Sequence, residues 1–176
     1  MGSSKSLLAA LAALALAPAP ALAASTPTGS GRTTALKHAL LSSHELWATV
    51  DVCNPADQPY TVGIRGSMPG DGHARDRMYM SFRLQYLDSV NKRWVDLVGA
   101  SSTFVAVGTG ASARQGGRSF QLVPGKSVST LRGVVDFQWR HGASVVESAA
   151  RPSTAGHRSL AGADPAGFSV ATCPIG

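Results

Sequence analysis

The sequence has few of the residues that catalytic and metal-binding sites use. It contains two cysteines and only two glutamates among 176 residues. The cysteines lack the C-x-x-C spacing of a redox catalyst, and so few glutamates leave a paired-carboxylate glycosidase without an evident pair. Neither the H-E-x-x-H motif of zinc proteases nor the G-x-S-x-G motif of α/β-hydrolases occurs. We therefore predict that the protein is not an enzyme and has no cofactor and no metal ligands.

Basic residues are in excess, but they form no run. Sixteen lysines and arginines stand against ten acidic residues, which gives a formal net charge of +6. The closest basic pairs are Arg75 with Arg77 and Lys92 with Arg93. Because nucleic-acid binders usually concentrate such charge in one stripe, we predict no nucleic-acid partner. An anionic envelope polymer, a glycan or another exported protein remain as candidate partners.

The chain has one strongly apolar run, LLAALAALAL at residues 7–16. It is shorter than the roughly 20 residues that a membrane span needs. A single lysine precedes the run, and Ala-Leu-Ala at residues 21–23 follows it, which is the pattern of a secretory signal peptide. The opening M-G-x-x-x-S also fits N-myristoylation, but cleavage would discard it. We predict a signal peptide over residues 1–24, cleavage near Ala23-Ala24, and a secreted protein without a transmembrane segment.

Export changes what the two cysteines indicate. In an oxidising compartment an even number of cysteines favours a disulfide, and Cys53 with Cys173 is the one intramolecular pairing available. The bond would close a loop of about 120 residues and tie the C-terminal tail to an early strand.

Hydrophobic residues alternate with polar ones along most of the mature chain. The clearest case runs from Met78 to Tyr86, where every second residue is apolar. Seven to nine such short segments, separated by turns and without a long helix, predict an all-β fold. We expect a single antiparallel, immunoglobulin-like β-sandwich over residues 36–176 with an irregular C-terminal tail. Residues 25–35 are predicted to be a flexible leader.

Two segments carry a family resemblance. Residues 46–54 (LWATVDVCN) form an early strand that ends in cysteine, and residues 131–140 (LRGVVDFQWR) form a late strand. Together with the signal peptide, they make the chain resemble small secreted bacterial proteins with an immunoglobulin-like or fibronectin-type β-sandwich and no assigned function. The resemblance implies a sandwich and carries no catalytic residues across. The chain departs from the antibody pattern, because its cysteines are much further apart and Ala171 replaces the tyrosine expected two places before the second one.

The best candidate ligand loop is DGHARD at residues 71–76, which gathers Asp71, His73, Arg75 and Asp76. Calcium prefers six or more oxygen ligands, and zinc three or four ligands. The loop offers too few oxygens for calcium, and His73 with Asp76 supplies at most two ligands for zinc. We therefore expect a solvated loop whose carboxylates offset the neighbouring arginines.

Two other features have competing interpretations. Trp47 and Tyr79 lie on the more polar side of their strands, so they are candidates for exposed aromatic residues that stack on sugars; partial burial is the alternative. Residues 108–113 match G-x-G-x-x-A, which occurs in dinucleotide-binding folds. That function needs a helix to follow directly, whereas the next residues include paired glycines and then a strand. We predict a glycine-rich hairpin.

The sequence leaves three functions open. We expect a secreted, non-catalytic sandwich that recognises a surface at the cell envelope. A partner or subunit of another exported protein is the first alternative. A small extracellular hydrolase, with a site assembled in space from His73, Asp76 and another histidine, is the second.

Overall fold

The computed structural model describes residues 29–123, 129–157 and 162–176. The predicted signal peptide (residues 1–24) and the beginning of the predicted leader lie outside the described residues. Within the three described ranges the chain forms antiparallel sheets and one short helix. The all-β sandwich class predicted from the alternating pattern is therefore confirmed.

The helix α1 (Gly29–Leu41) differs from the sequence prediction. A flexible leader was expected over residues 25–35, with the domain starting at residue 36, but the helix runs through that boundary. Leu40 is buried and Leu36 packs against the same core, because residues four apart lie on one side of a helix. At 13 residues α1 is too short to span a bilayer, and the described chain contains no helix that could.

Nine strands lie within the described residues. In chain order they are β1 (Trp47–Cys53), β2 (Thr61–Met68), β3 (Arg77–Asp88), β4 (Arg93–Ser101), β5 (Val105–Thr109), β6 (Arg114–Gln121), β7 (Ser129–His141), β8 (Ser144–Pro152) and β9 (Cys173–Ile175). The G-x-G-x-x-A segment joins β5 to β6. A strand follows it rather than a helix, which removes the basis for dinucleotide binding. The predicted hairpin is wrong, because β5 pairs with β3 in the larger sheet and β6 with β2 in the smaller one, so the segment connects the two sheets.

The strands pair antiparallel in two sheets. The smaller sheet has the order β1-β2-β6, and the larger one has β4-β3-β7-β8. Strand β5 shares one edge of β3 with β4, and β9 shares one edge of β7 with β8. The long strands β3 and β7 are thus the centre of the larger sheet, and they position most of the residues discussed below.

The inner faces of the two sheets meet in one apolar core. Its largest fully buried side chains are Trp139, Phe82, Phe137, Ile64, Met68, Met78, Met80 and Leu84. Gly133 lets the sheets approach closely, because a Cβ at this position would lie 2.7 Å from Ile64 Cγ2. Trp139 is completely buried, and its indole Nε1 donates a hydrogen bond of 2.9 Å to the carbonyl oxygen of Pro69. This bond fastens the start of the β2–β3 loop (residues 69–76) to the core.

The segment after β8 covers the free edge of β1. The amide of Thr154 donates to Ala48 O at 2.8 Å, and Val50 and Val170 exchange two backbone hydrogen bonds of 3.0 Å each. These bonds occupy backbone groups of β1 that β2 does not reach. An edge covered in this way cannot add a strand from another molecule.

The disulfide between Cys53 and Cys173 closes this arrangement. It joins the last residue of β1 to the first residue of β9, with a Cα–Cα distance of 5.5 Å and a sequence separation of 120 residues. The predicted bond between an early strand and the C-terminal tail is confirmed. Since β9 pairs with β7, the bond also links the smaller sheet to the larger one.

Candidate functional site

The β2–β3 loop is held in one conformation by backbone contacts. The amide of Gly72 donates to Gly110 O, and the amide of Gly110 donates to Asp76 O, both at 2.9 Å. Within the loop, Asp71 Oδ1 accepts a hydrogen bond of 2.9 Å from the amide of His73. The loop is therefore tied to the β5–β6 turn at Gly72 and Asp76.

Three side chains of the loop converge. Candidate ligand atoms of Asp71, His73 and Asp76 all lie within 4.8 Å of one another. His141, the last residue of β7, joins them, because its Nδ1 lies 2.6 Å from Asp76 Oδ1. We call these four residues the Asp/His cluster. It contains three potential metal ligands from the loop and a fourth from β7, whereas the sequence argument counted at most two.

The carboxylates of the cluster are buried and its imidazoles are not. The side chains of Asp71 and Asp76 are 2% and 9% exposed, whereas those of His73 and His141 are 62% and 69% exposed. Burying a carboxylate is costly unless a charge or a hydrogen bond compensates it. The histidines are the groups that can do so here, since the described ion pairs of both aspartates are with His73 and His141.

The two aspartates titrate in opposite directions. Burial raises the pKa of Asp71, and the neighbouring Asp76 raises it further. Burial also acts to raise the pKa of Asp76, but hydrogen bonds from His141 and Asp71 outweigh it, so the pKa of Asp76 is lowered. As the pH falls, Asp71 therefore takes up a proton before Asp76 does.

The cluster opens into a cleft of about 870 Å³ beneath α1. Leu36, Lys37 and Leu40 of the helix form one wall. Lys37 Nζ pairs with Glu147 Oε2 at 3.3 Å, which links the helix to β8. Arg75, the remaining residue of the predicted ligand loop, lines the cleft and is exposed, but it belongs to no described ion pair.

The structure thus joins three of the four predicted loop residues and adds one that the sequence argument missed. Strands β3 and β7 pair with Arg77 opposite Arg140, so the residues next to them, Asp76 and His141, become neighbours. Both strands were recognisable in the sequence, but their pairing was not. The histidine required by the hydrolase alternative is present in His141, although its geometry alone assigns no reaction.

A second polar surface occupies the outer face of the larger sheet. The guanidinium of Arg140 lies 4.2 Å from the ring centre of Tyr79 and 5.3 Å from that of Phe104. The guanidinium of Arg132 lies 4.4 Å from the ring centre of Trp94. We call this surface the arginine face. It contains two clusters, Arg140 with Tyr79 and Phe104, and Arg132 with Trp94. Sequence alternation placed the two arginines on the polar side of β7 but gave no sign of their aromatic partners.

The two arginines lack carboxylate partners among the described ion pairs. Arg132 Nε donates to Gln85 Oε1 at 2.8 Å, and Arg140 Nε donates to Gln138 Oε1 at 2.9 Å. By contrast, Arg83 between them contacts Asp96 and Asp136. Burial and the nearby Arg83 lower the pKa of Arg132. The positive charges of Arg132 and Arg140 are therefore oriented by neutral groups and remain available to an anion.

The two aromatic residues singled out in the sequence are each partly buried. Tyr79 lies under Arg140 on the larger sheet. Trp47 belongs to the smaller sheet, where its ring stacks on His157 at a centroid distance of 4.2 Å and an interplanar angle of 14°. The Nε2 of His157 also lies 2.9 Å from Thr154 Oγ1. Tyr79 thus belongs to the arginine face, whereas Trp47 helps to hold the segment that covers β1.

The contact between Trp47 and His157 is expected to weaken on acidification. Burial lowers the pKa of His157 below its ordinary value of 6.5, so the unfolded chain binds the proton more tightly than the folded one. The stabilisation is therefore complete above pH 6.5 and is lost as the pH falls through the lower pKa of the folded state. Thermal unfolding between about pH 7.5 and 5 should show a steeper fall of Tm in the wild type than in His157→Phe.

The exposed His44 provides a matched control for this measurement. The variant His44→Phe should keep the pH dependence of the wild type. The same slope in the wild type and in His157→Phe would contradict the prediction.

Comparison with known proteins does not assign either surface. No protein-family model and no curated protein matches the chain. Among solved structures, the chain is similar to Pseudomonas fluorescens alkylpurine DNA glycosylase AlkC bound to DNA containing an abasic site analog. The match has 14% sequence identity and a TM-score of 0.33, and it covers 62% of this chain and 29% of that chain. A likeness of this size carries no argument about function.

Proposed function

We propose that this protein is an exported, non-catalytic β-sandwich that recognises an acidic glycan through its arginine face. The observation that carries the proposal is the pairing of Arg132 and Arg140 with aromatic rings on one side of the larger sheet. Guanidinium groups bind carboxylates and phosphates through two parallel hydrogen bonds. Each of these guanidinium groups lies over an aromatic ring, which holds it in place for contact with the acidic group of a sugar.

The spacing of the two clusters suits an extended polymer. Tyr79 and Gln85 mark their positions on β3, since Arg140 covers the first and Arg132 bonds to the second. Six residues of an extended strand separate points about 20 Å apart. Between the clusters lie the small side chains of Ser81 on β3 and Ala150 on β8, together with the ion pair of Arg83 and Asp136. A chain of sugars could therefore lie along the face and reach both ends.

The charge of the face is available for such a partner. Arg132 and Arg140 are positioned by glutamine side chains and aromatic rings, so an incoming anion need not displace a carboxylate. Their preorganised geometry lowers the entropy cost of binding. An acidic polymer would also compensate the repulsion between Arg132 and Arg83.

Removing both arginines is expected to weaken binding of acidic polysaccharide. We expect the double variant Arg132→Ala/Arg140→Ala to bind immobilised heparin or polygalacturonate about tenfold or more weakly than the wild type, because each arginine supplies a charge-assisted contact. Binding of the wild type should also fall with rising salt. Retention on neutral dextran, measured in parallel, should be negligible.

A matched variant distinguishes specific binding at the arginine face from general attraction to a basic protein. Arg118 is exposed on the smaller sheet, so Arg118→Ala removes one positive charge from the other side of the molecule. It should bind like the wild type, whereas the double lysine variant Arg132→Lys/Arg140→Lys should lose affinity while it keeps its charge. Equal losses in Arg118→Ala and in either single arginine-to-alanine variant of the face would overturn the proposal, as would a wild type that binds none of the polymers.

A further inference from the structure

We propose that the Asp/His cluster is a binding site for a divalent transition-metal ion, and that Zn²⁺ is its ion. The site is distinct from the arginine face and does not depend on the function proposed for it. Two carboxylates and two imidazoles make up the donor set. Its ligand atoms come from the β2–β3 loop and from the end of β7.

The three loop ligands lie close enough to share an ion, and His141 can supply a fourth ligand from its place beside Asp76. Zinc binds imidazole nitrogen and carboxylate oxygen at about 2.0–2.2 Å, so neighbouring ligand atoms of a tetrahedral site lie about 3.3 Å apart. His73 Nδ1 is 3.7 Å from Asp71 Oδ1, and His141 Nδ1 is 2.6 Å from Asp76 Oδ1. The carboxylates are buried, whereas the exposed imidazoles have room to turn toward an ion that replaces their present contacts.

The β5–β6 turn is a second observation, because it shows that the fold accommodates the Asp71 carboxylate in one place. Asp71 Oδ1 lies so close to Gly110 that a Cβ at residue 110 would collide with it. The same glycine exchanges backbone hydrogen bonds with both sides of the loop. The fold thus buries the carboxylate of Asp71 beside that of Asp76. Neither carboxylate has a lysine or arginine partner among the described ion pairs. A divalent cation would neutralise both.

The donor atoms select the class of ion. Calcium and magnesium are bound by oxygen ligands, usually six or more, and imidazole nitrogen is not among their preferred donors. Mixed imidazole and carboxylate sets favour zinc and its neighbours in the first transition row. Since two imidazoles supply half of the ligands here, Zn²⁺ should bind far more tightly than Ca²⁺ or Mg²⁺. The adjacent cleft leaves one side of the ion accessible.

Zinc binding to the disulfide-bonded protein without an affinity tag tests the proposal. After treatment with EDTA and dialysis, isothermal titration with ZnCl₂ should give one equivalent bound, and Tm should rise by about 5–10 °C at a hundredfold excess over Kd. Co²⁺ should give the intense visible absorption of a tetrahedral site. CaCl₂ and MgCl₂ should produce neither effect.

Variants distinguish this cluster from adventitious binding. His73→Ala and His141→Ala should each weaken Zn²⁺ binding by at least about tenfold, because each removes a ligand. Arg75→Ala changes the same loop and His44→Ala removes an exposed histidine elsewhere, so both should bind like the wild type. Circular dichroism of each metal-free variant checks that it folds. Equal affinity in the wild type and in the double variant His73→Ala/His141→Ala would overturn the proposal, as would Ca²⁺ binding as tightly as Zn²⁺.

Discussion

Replacing both Cys53 and Cys173 with serine is expected to lower the free energy of unfolding by about 5 kcal/mol. The bond closes a loop with a sequence separation of 120 residues, and in the chain-entropy model a longer loop in the unfolded chain gives a larger stabilisation. The native contacts add to this effect, since the bond keeps β9 beside β7 and the preceding segment on the edge of β1. That amount is a large share of the roughly 5–15 kcal/mol by which native domains are stable.

Urea denaturation of the double serine variant, compared with the wild type in the oxidised and the reduced state, measures this loss. The reduced wild type serves as the control, because it lacks the bond but keeps both cysteine side chains. Its midpoint should fall close to that of the variant. A loss below about 1 kcal/mol would show that the unfolded chain gains little freedom when the bond is absent.

Replacing Trp139 with alanine is expected to lower the free energy of unfolding by about 3–5 kcal/mol. The side chain is completely buried among the inner faces, so its removal leaves a large cavity. The variant also loses the hydrogen bond to Pro69 O and leaves that carbonyl without its indole partner. The substitution should therefore destabilise the β2–β3 loop as well as the core.

Trp94→Ala is the matched control, because Trp94 is a half-exposed tryptophan on the outer face of the same sheet. It should cost less than about 1 kcal/mol in stability, although we expect it to weaken binding at the arginine face. Trp139→Phe should fall between the two, since it keeps much of the volume but not the hydrogen bond. Similar losses from Trp139→Ala and Trp94→Ala would contradict the assignment of Trp139 as a core residue.

The sequence predicts the strands well because their pattern is local. A residue such as Phe82 faces the core because its neighbours on both sides are polar or small and alternate with it, and no distant contact is needed to see this. The disulfide was also predictable, since only one intramolecular pairing existed. The loop at residues 71–76 stood out for the same reason, as its acidic residues and histidine lie close together in the chain.

Features that depend on distant contacts were not predictable. His141 reaches Asp76 only through the pairing of β3 with β7, across 65 positions of sequence. Gly110 looked like part of a hairpin, and nothing local showed that Asp71 would pack against it. The small, polar residues at the start of α1 predict a leader, whereas the later leucines of the helix pack against the core. Tertiary packing decided each of these cases.

The covered edge of β1 also has a consequence for the order in which the chain can fold. Ala48 accepts a hydrogen bond from the amide of Thr154, 106 positions later, and the contacts with Val170 span a still longer interval. Contacts between such distant positions form late, because the intervening chain must first be ordered. A growing polypeptide therefore carries an open strand edge until its final segments have been synthesised. During that time other unfinished copies compete for the edge, so rapid synthesis at high concentration favours misassembly.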